Sequence, residues 1–473
     1  MTVARVDQGR SLGLVNTLRL GLFQGCLGCL AVIFAGLLNR IMLSELQFPG
    51  LLVGGALAFE QFVAPSRVLF GQISDAHPWA GRHRIPYIWL GTALFCGLAV
   101  LSIPLIFHVG RLLEAASQPE LALGIAGLCG LFALYGLAIS LATTPYLALV
   151  IDRTSEAERP RAVGLIWCLL TVGIVIGAIA IAISLRKLDG ITDPSLLEPV
   201  LLGFMARVAV VVLVLTVVAT LGLEPRWDAA AARGSGSKRR EDAITLAQSW
   251  TLITSSRQVL VFFSFLVLFT LGLFLQDPIL ESYGADVFGM PIAATASLNA
   301  VWGIGTLTGL LLAGFWIVPR LGKLATARLG CQLILASLVL LGLAGLVGRV
   351  SVLQAVMALF GLAAGIGTNS ALVLMLDLTL PEAAGTFVGV WGLAQALSRA
   401  LGKVVGGGLF DLGRTLQPIL HLGDSAYPPY ALVFVVEAAV ALAALLLLSR
   451  LNLHQFREDT GRSLSKVLAL ELE

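Results

Sequence analysis

Residues 149–167 read LVIDRTSEAERPRAVGLIW, and residues 374–391 read LMLDLTLPEAAGTFVGVW. Asp152 and Asp377, Gly164 and Gly389, and Thr143 and Thr368 share one offset of 225 residues, and Trp167 meets Trp391 after one skipped residue. In each copy an apolar run ends on an aspartate, crosses a short polar link and gives way to a second apolar run. A duplication at that distance in a chain of 473 residues predicts two halves built alike.

The sequence around the repeat decides what the halves are made of. Hydrophobic residues make up 58% of the chain and charged residues 12%, about half the charge of a soluble domain. Length alone would admit several soluble domains, but there is too little polar material to cover them, and too much apolar material for disorder. Fifty-one glycines among Leu, Val and Ala fit packed membrane helices, where small residues let backbones approach. A spanning helix takes roughly 20 apolar residues. Charge-free windows of that kind cover 20–39, 85–110, 121–151, 162–185, 258–276, 287–319, 329–348 and 350–376. Four more spans tolerate one or two charges: 49–70, 201–222, 386–410 and 429–449. The first run is too long for a cleaved signal peptide, and further spans follow it. The expectation is an all-α integral membrane protein of major-facilitator type, with twelve transmembrane helices in two six-helix bundles.

Basic residues orient the spans. With both termini inside, inward segments hold 21 of the 31 Lys and Arg residues. The outward loops hold Arg40, Arg111, Arg186, Lys187, Arg349 and Arg414. The longest inward segment, 223–257, contains the flexible run Gly234–Ser235–Gly236–Ser237 and separates an N-terminal bundle, 1–222, from a C-terminal bundle with its tail, 258–473. Residues 241–256 are expected to form a short surface helix. No basic–aromatic stripe points to nucleic acid, no phosphate-binding loop to ATP, and no triad or paired acid–base site to catalysis.

The connection GQISDAHPWAGRHR, residues 71–84, is expected to latch helices together. Gly71 permits close approach, Asp75 can accept from helix-end amides, and Arg82 and Arg84 can pair with carboxylates or lipid phosphate. An ordinary basic loop is the alternative. A charge cluster at 152–161, including Asp152 and Arg161, has a sparser counterpart at Asp377 and Glu382. Its repetition favours salt bridges that set helix positions over solvated caps.

Charges inside spans are costly in hydrocarbon and mark function or pairing. Glu60 and Arg67 lie seven apart, two turns along one helical face, and Arg399 and Lys403 lie four apart on another. Glu437 stands mid-span, where it either takes up a proton or pairs. Each either faces a cavity or ligand, or is paired or snorkels. The Cys26–Cys29 spacing in a membrane helix carries little metal signal without further ligands, and the glycines beside it (21, 25, 28) predict a close packing face. No histidine is mid-span. Gln24, Asn39, Asn299 and Asn369 are membrane-region polar residues better explained by interhelix hydrogen bonds than by ligation.

Six stretches carry a family resemblance. LRLGLFQ (18–24), GLLNRIMLSEL (36–46), FVAPSRVLFGQISD (62–75), GRHRIPYIWLG (81–91), PYLALVIDRTSEAERPRAVGLIW (145–167) and LMLDLTLPEAAGTFVGVWGLAQALSRALG (374–402) together resemble the PucC/LhaA group of the major facilitator superfamily. Their texture is closest to cyanobacterial members, which implies chlorophyll a and a thylakoid membrane. Arg40, Glu45, Arg67, Gly71, Asp75, Gly81, Arg82, Asp152 and Arg161 match the family pattern. The resemblance implies a non-enzymatic carrier of chlorophyll or bacteriochlorophyll, or an assembly factor for light-harvesting or photosystem polypeptides, taking pigment from chlorophyll synthase. It makes Arg67, Arg399 and Lys403 candidate partners of pigment oxygens, and Glu60 a partner of those cations or of a polypeptide. Residues 76–80, AHPWA, add length that the general transporter loop lacks, which puts that loop's gating role in question.

Overall fold

The computed structural model describes residues 13–115, 118–154, 159–186, 194–224, 257–377, 384–421, 423 and 425–451. The 223–257 linker beyond Glu224, its expected surface helix, Glu156, Glu158, Glu382 and the tail lie outside the described residues. Among the described residues the chain is helical, with one isolated bridge between Trp79 and Arg82. Nine helices among them are long and apolar enough to cross a membrane, and two shorter apolar helices join them. A further helix of 36 residues, Ala384–Ile419, carries the charges of Arg399, Lys403, Asp411 and Arg414 and supplies the last of the expected twelve segments.

The chain packs as two compact units, Met1–Phe48, Phe59–Gly236 and Pro291–Ala300 in one, and Pro49–Ala58, Ser237–Met290 and Val301–Glu473 in the other. The short segments 49–58 and 291–300 thus belong to the half opposite to their sequence neighbours.

In unit 1, α1 (Leu14–Val32) continues through wide π-helical turns, Ile33–Leu38 and Ile41–Glu45. Helix α2 (Gly50–Phe62), whose residues up to Ala58 belong to unit 2, is followed by α3 (Ser66–Ala76), α4 (Ile85–Ala115), α5 (Gln118–Arg153), α6 (Arg159–Ser184) and α7 (Pro194–Thr220). α1 packs on α6, and α4 on α5 and α7. The glycine face forecast for α1 is what makes the first seam: a Cβ on Gly28 would strike the Leu170 carbonyl, and one on Gly173 would overlap the Gly25 backbone. Arg19 closes the end of α7, donating to the Val218 and Leu221 carbonyls at 2.8 Å each. Val210, Val211, Val214 and Val218 of α7 are all exposed, as a bilayer-facing surface requires.

In unit 2, α8 (Arg257–Phe274) stops short and a turn leads to α9 (Leu280–Asp286). Then come α10 (Ile292–Leu312, its residues up to Ala300 belonging to unit 1, with π-helical turns at Ala313–Ile317), α11 (Lys323–Val347), α12 (Val350–Asp377), α13 (Ala384–Ile419) and α14 (Tyr427–Ser449). α11 packs on α12, and α8 on α13 and α14. Tyr283, Phe410, Tyr430 and Phe434 form a buried aromatic cluster, with ring centroids about 5 Å apart.

Four local expectations are revised by the structure. The first span runs on to Glu45, so Arg40 lies in a helix and is 5% exposed instead of sitting in a loop. The 49–70 span breaks at 63–65, where Pro65 withdraws a backbone donor. Glu60 and Arg67 therefore sit on two helices, not on one continuous face. The window ending at 276 breaks after Phe274 because Pro278 lacks an N–H and crowds the carbonyl four residues back. Finally, α13 extends to Ile419, which places Arg414 in a helix.

Candidate functional site

Unit 1 presents its polar residues around the 71–84 connection. Ala80 and Gly81 both have positive φ, 53° and 70°, and Trp79 and Arg82 exchange both backbone hydrogen bonds, at 2.8 and 3.1 Å. That geometry is a two-residue hairpin turn of the primed kind, and it accounts for the AHPWA insertion. The turn returns the chain to α4, whose first amides find a carboxylate. Glu224 accepts from the backbone N–H groups of His83 (2.6 Å), Arg84 (2.9 Å) and Ile85 (2.8 Å). Arg84 donates to Asp152 at 3.2 Å and to the Ser74 hydroxyl at 2.8 Å. Gly71 faces Thr144 of α5, where an added Cβ would sit 3.4 Å from its methyl. Arg82 is half-buried, and its Nε has no hydrogen-bond partner among the described residues. Asp75 lies on α3, Arg161 in the first turn of α6 and Asp377 at the end of α12.

This arrangement ranks two substitutions. Glu224→Ala strips three helix-start amides of a charged acceptor and is expected to cost about 1–2 kcal/mol. Asp152→Asn removes an ion pair whose acid is half exposed and is expected to cost less than about 1 kcal/mol. Thermal unfolding of the detergent-solubilised protein, followed by thiol labelling of its buried cysteines, checks the order.

A second polar knot in unit 1 holds the irregular part of α1. Arg40 pairs with Glu45 at 3.3 Å and donates to the Thr295 hydroxyl at 2.9 Å. Glu60 is half-buried, and Arg67 is exposed.

In unit 2 Arg399, Lys403 and Glu437 lie around the α8 break. Lys403 pairs with Asp277 at 3.7 Å. The Arg399 guanidinium stands 4.6 Å over the Phe274 ring. Glu437, 0% exposed, accepts the Gln276 backbone N–H at 3.4 Å. That amide belongs to the unwound stretch, so the mid-span acid supplies what the broken helix lost. Gly402 and Gly406 admit α13 against the same stretch, and a Cβ on Gly406 would strike the Leu275 carbonyl. On another edge, Asp411 accepts from the Gly50 and Leu51 amides at 2.6 and 2.7 Å, capping α2. Asn369 donates to the Leu310 carbonyl at 3.3 Å, the interhelix use expected of it. Among the described residues no cluster of His, Cys, Asp or Glu could hold a metal ion.

Arg399 and Lys403 are therefore brought to one structural feature, whereas Glu60 and Arg67 lie in unit 1. Glu224, Gln276, Asp277 and Asp411 do not stand out in the sequence. An Asp–Pro pair beside an apolar run, Asp277–Pro278, is the one local signal for the break. Nothing local marks Glu224, which caps a helix 139 residues away.

The chain resembles known proteins along most of its length. It is 31% identical over 425 residues to Protein PucC of Rhodovulum sulfidophilum, covering 89% of this chain and 90% of that one. It is 31% identical over 443 residues to the bacteriochlorophyll synthase 44.5 kDa chain of Rhodobacter capsulatus, covering 91% and 95%. Among solved structures, a bacterial homologue of the iron transporter ferroportin in an inward-facing state matches with a TM-score of 0.65 at 15% identity, over 92% of this chain and 97% of that one. The likeness to the solved structure establishes the helical fold, and the nine helices among the described residues that are long and apolar enough to cross a membrane make it a multi-pass membrane protein. The model of the PUCC protein family matches residues 37–456, and with that extent of agreement the chain belongs to the PUCC protein family.

Proposed function

We propose that this protein is a non-enzymatic carrier of chlorophyll or bacteriochlorophyll that serves the assembly of light-harvesting or photosystem complexes in a photosynthetic membrane. The observation that carries the reading is the family match over residues 37–456, supported by relatives named for PucC and for bacteriochlorophyll synthesis. Chlorophyll joins a flat macrocycle to a long apolar tail. Apolar helix faces supply most of its affinity, and a few polar groups orient the ring. Arg67, exposed at the α2–α3 break, together with Arg399 and Lys403 at the α8 break, are the proposed partners of its carbonyl and ester oxygens, with Glu60 facing cations or polypeptide. Gly71, Asp75, Arg82, Asp152, Arg161 and Asp377 are proposed to set helix positions during handover. Chlorophyll synthase is the proposed donor, nascent antenna chains are the recipients, and both termini lie on the cytoplasmic side. The thylakoid and chlorophyll a are the setting and cargo that the sequence texture favours.

The test is a native pulldown from photosynthetic membranes with pigment chromatography and identification of copurified proteins. Stoichiometric pigment and antenna polypeptides are expected, and deletion is expected to deplete the assembled antenna. Antenna polypeptides without pigment would replace the carrier by a scaffold. Neither pigment nor polypeptide, with antenna intact after deletion, would sink both. The alternative, proton-coupled transport of a small solute, draws on the fully buried Glu437 and predicts uptake into proteoliposomes driven by a pH gradient.

A further inference from the structure

The break in α8 leaves a chemical imbalance. Gln276 is 4% exposed and Glu437 0% exposed, and the two are joined through the Gln276 amide and Glu437 Oε1. The Gln276 side-chain NH2 donates to the Leu273 carbonyl at 3.2 Å. Two acceptors remain with no hydrogen-bond partner among the described residues, Gln276 Oε1 and Glu437 Oε2. A buried acceptor without a donor is costly, and a buried carboxylate without a cation more so.

We infer that Glu437 is a proton-binding site: the carboxyl takes up a proton on Oε2, donates it in a hydrogen bond to Gln276 Oε1, and releases it to water by way of the break. One proton satisfies both orphan acceptors and removes the buried charge. An alkali cation fits less well. The Lys403 ammonium beside Asp277 already supplies positive charge at this level. Asp277, with its side chain 27% exposed, is the exposed end of the same turn, and the inference makes it the relay by which the proton leaves. The fold makes the site: Pro278 unwinds the helix, Gly406 lets α13 close over the unwound carbonyls, and Glu437 replaces the lost amide partner.

The titratable and charged groups on the elements packed against α14 are few. They are Arg257 at the start of α8 and Asp277 at the break; Arg399, Lys403, Asp411 and Arg414 on α13; Glu281, Tyr283 and Asp286 on α9; and Lys323, Arg328 and Cys331 on α11. Tyr427 and Tyr430 are on α14 itself. Tyr430 donates to Asp286 at 2.6 Å and Tyr427 to the Gly342 carbonyl at 2.9 Å, so both hydroxyl protons are committed elsewhere. Asp277 follows Gln276 in the same turn, and Lys403 pairs with it at 3.7 Å.

Infrared difference spectra of the full chain in lipid nanodiscs, recorded across pH jumps, test the inference. The wild type is expected to show a protonated-carboxyl C=O band that vanishes as pH rises, and Glu437→Gln is expected to lack it. Gln276→Leu keeps the carboxyl but removes its acceptor, so the band should persist and move to the position of a free acid. Three results overturn the inference: equal spectra for wild type and Glu437→Gln, a band unchanged at every pH where the protein stays folded, or a band removed by sodium at constant pH. A Gln276→Leu band at the wild-type position also counts against it. The readout is independent of pigment or antenna, so it stands apart from the carrier reading.

Discussion

Gly173→Leu is expected to keep the protein from accumulating in the membrane. The α1–α6 seam is closed by backbone on backbone, and any side chain at Gly173 overlaps Gly25. Helices in lipid gain little from apolar burial and associate through close packing, so parting these two removes the main contact of α1. The overlapped atoms are main chain, which cannot rotate away. A loss of about 3 kcal/mol or more follows, over a hundredfold in the ratio of folded to unfolded protein. Gly97→Leu on α4 is the control. A Cβ there meets nothing within 4 Å, and leucine has the better helix propensity. Membrane levels of the two variants, read by quantitative immunoblot, are expected to differ by more than tenfold. Equal levels would mean the seam can open without consequence.

Arg40→Met is expected to be nearly as damaging, by a different route. The guanidinium holds Glu45 at 3.3 Å and Thr295 at 2.9 Å, on a side chain that is 7% exposed. Removing it strands a carboxylate that is 13% exposed, and broken buried pairs cost about 3–5 kcal/mol. Most of that cost is the orphaned charge and not the lost bond. Glu45→Gln added to Arg40→Met should therefore recover the larger part of the stability. A double-mutant cycle of thermal unfolding in detergent reads the coupling. Additive losses would show that the pair is incidental and that Arg40 acts through Thr295 or its other contacts.

These two residues also show what sequence can and cannot reveal. Spans are legible because charge is excluded from hydrocarbon, and the glycine spacing in α1 points to its seam because small residues at that period have few other uses in a membrane helix. The ends of spans are less legible. Arg40 reads as a loop residue because a cation usually ends an apolar run, and nothing in the neighbouring letters announces Glu45 and Thr295 as compensation. The α8 break is hidden in the same way: a charge-free window that stops at Asp277 looks like a helix reaching water. Of the candidate site, the charges within spans are identifiable one by one, but their partners are not. Glu437 and Gln276 are 161 residues apart, and no local pattern connects them.

That separation has a consequence for how the protein is made. Helix α8 spans about 27 Å at 1.5 Å per residue, and its unwound end enters the bilayer with an amide that no residue of the same helix accepts. Glu437 emerges from the ribosome only after α9 to α13 have been threaded. Until then the stretch 275–279 must borrow water, lipid headgroups or the insertion machinery. The final helix is thus the closing step of biogenesis for unit 2. A chain stalled before α14 would present quality-control proteases with an unfinished transmembrane turn, and a late truncation would be removed as thoroughly as an early one.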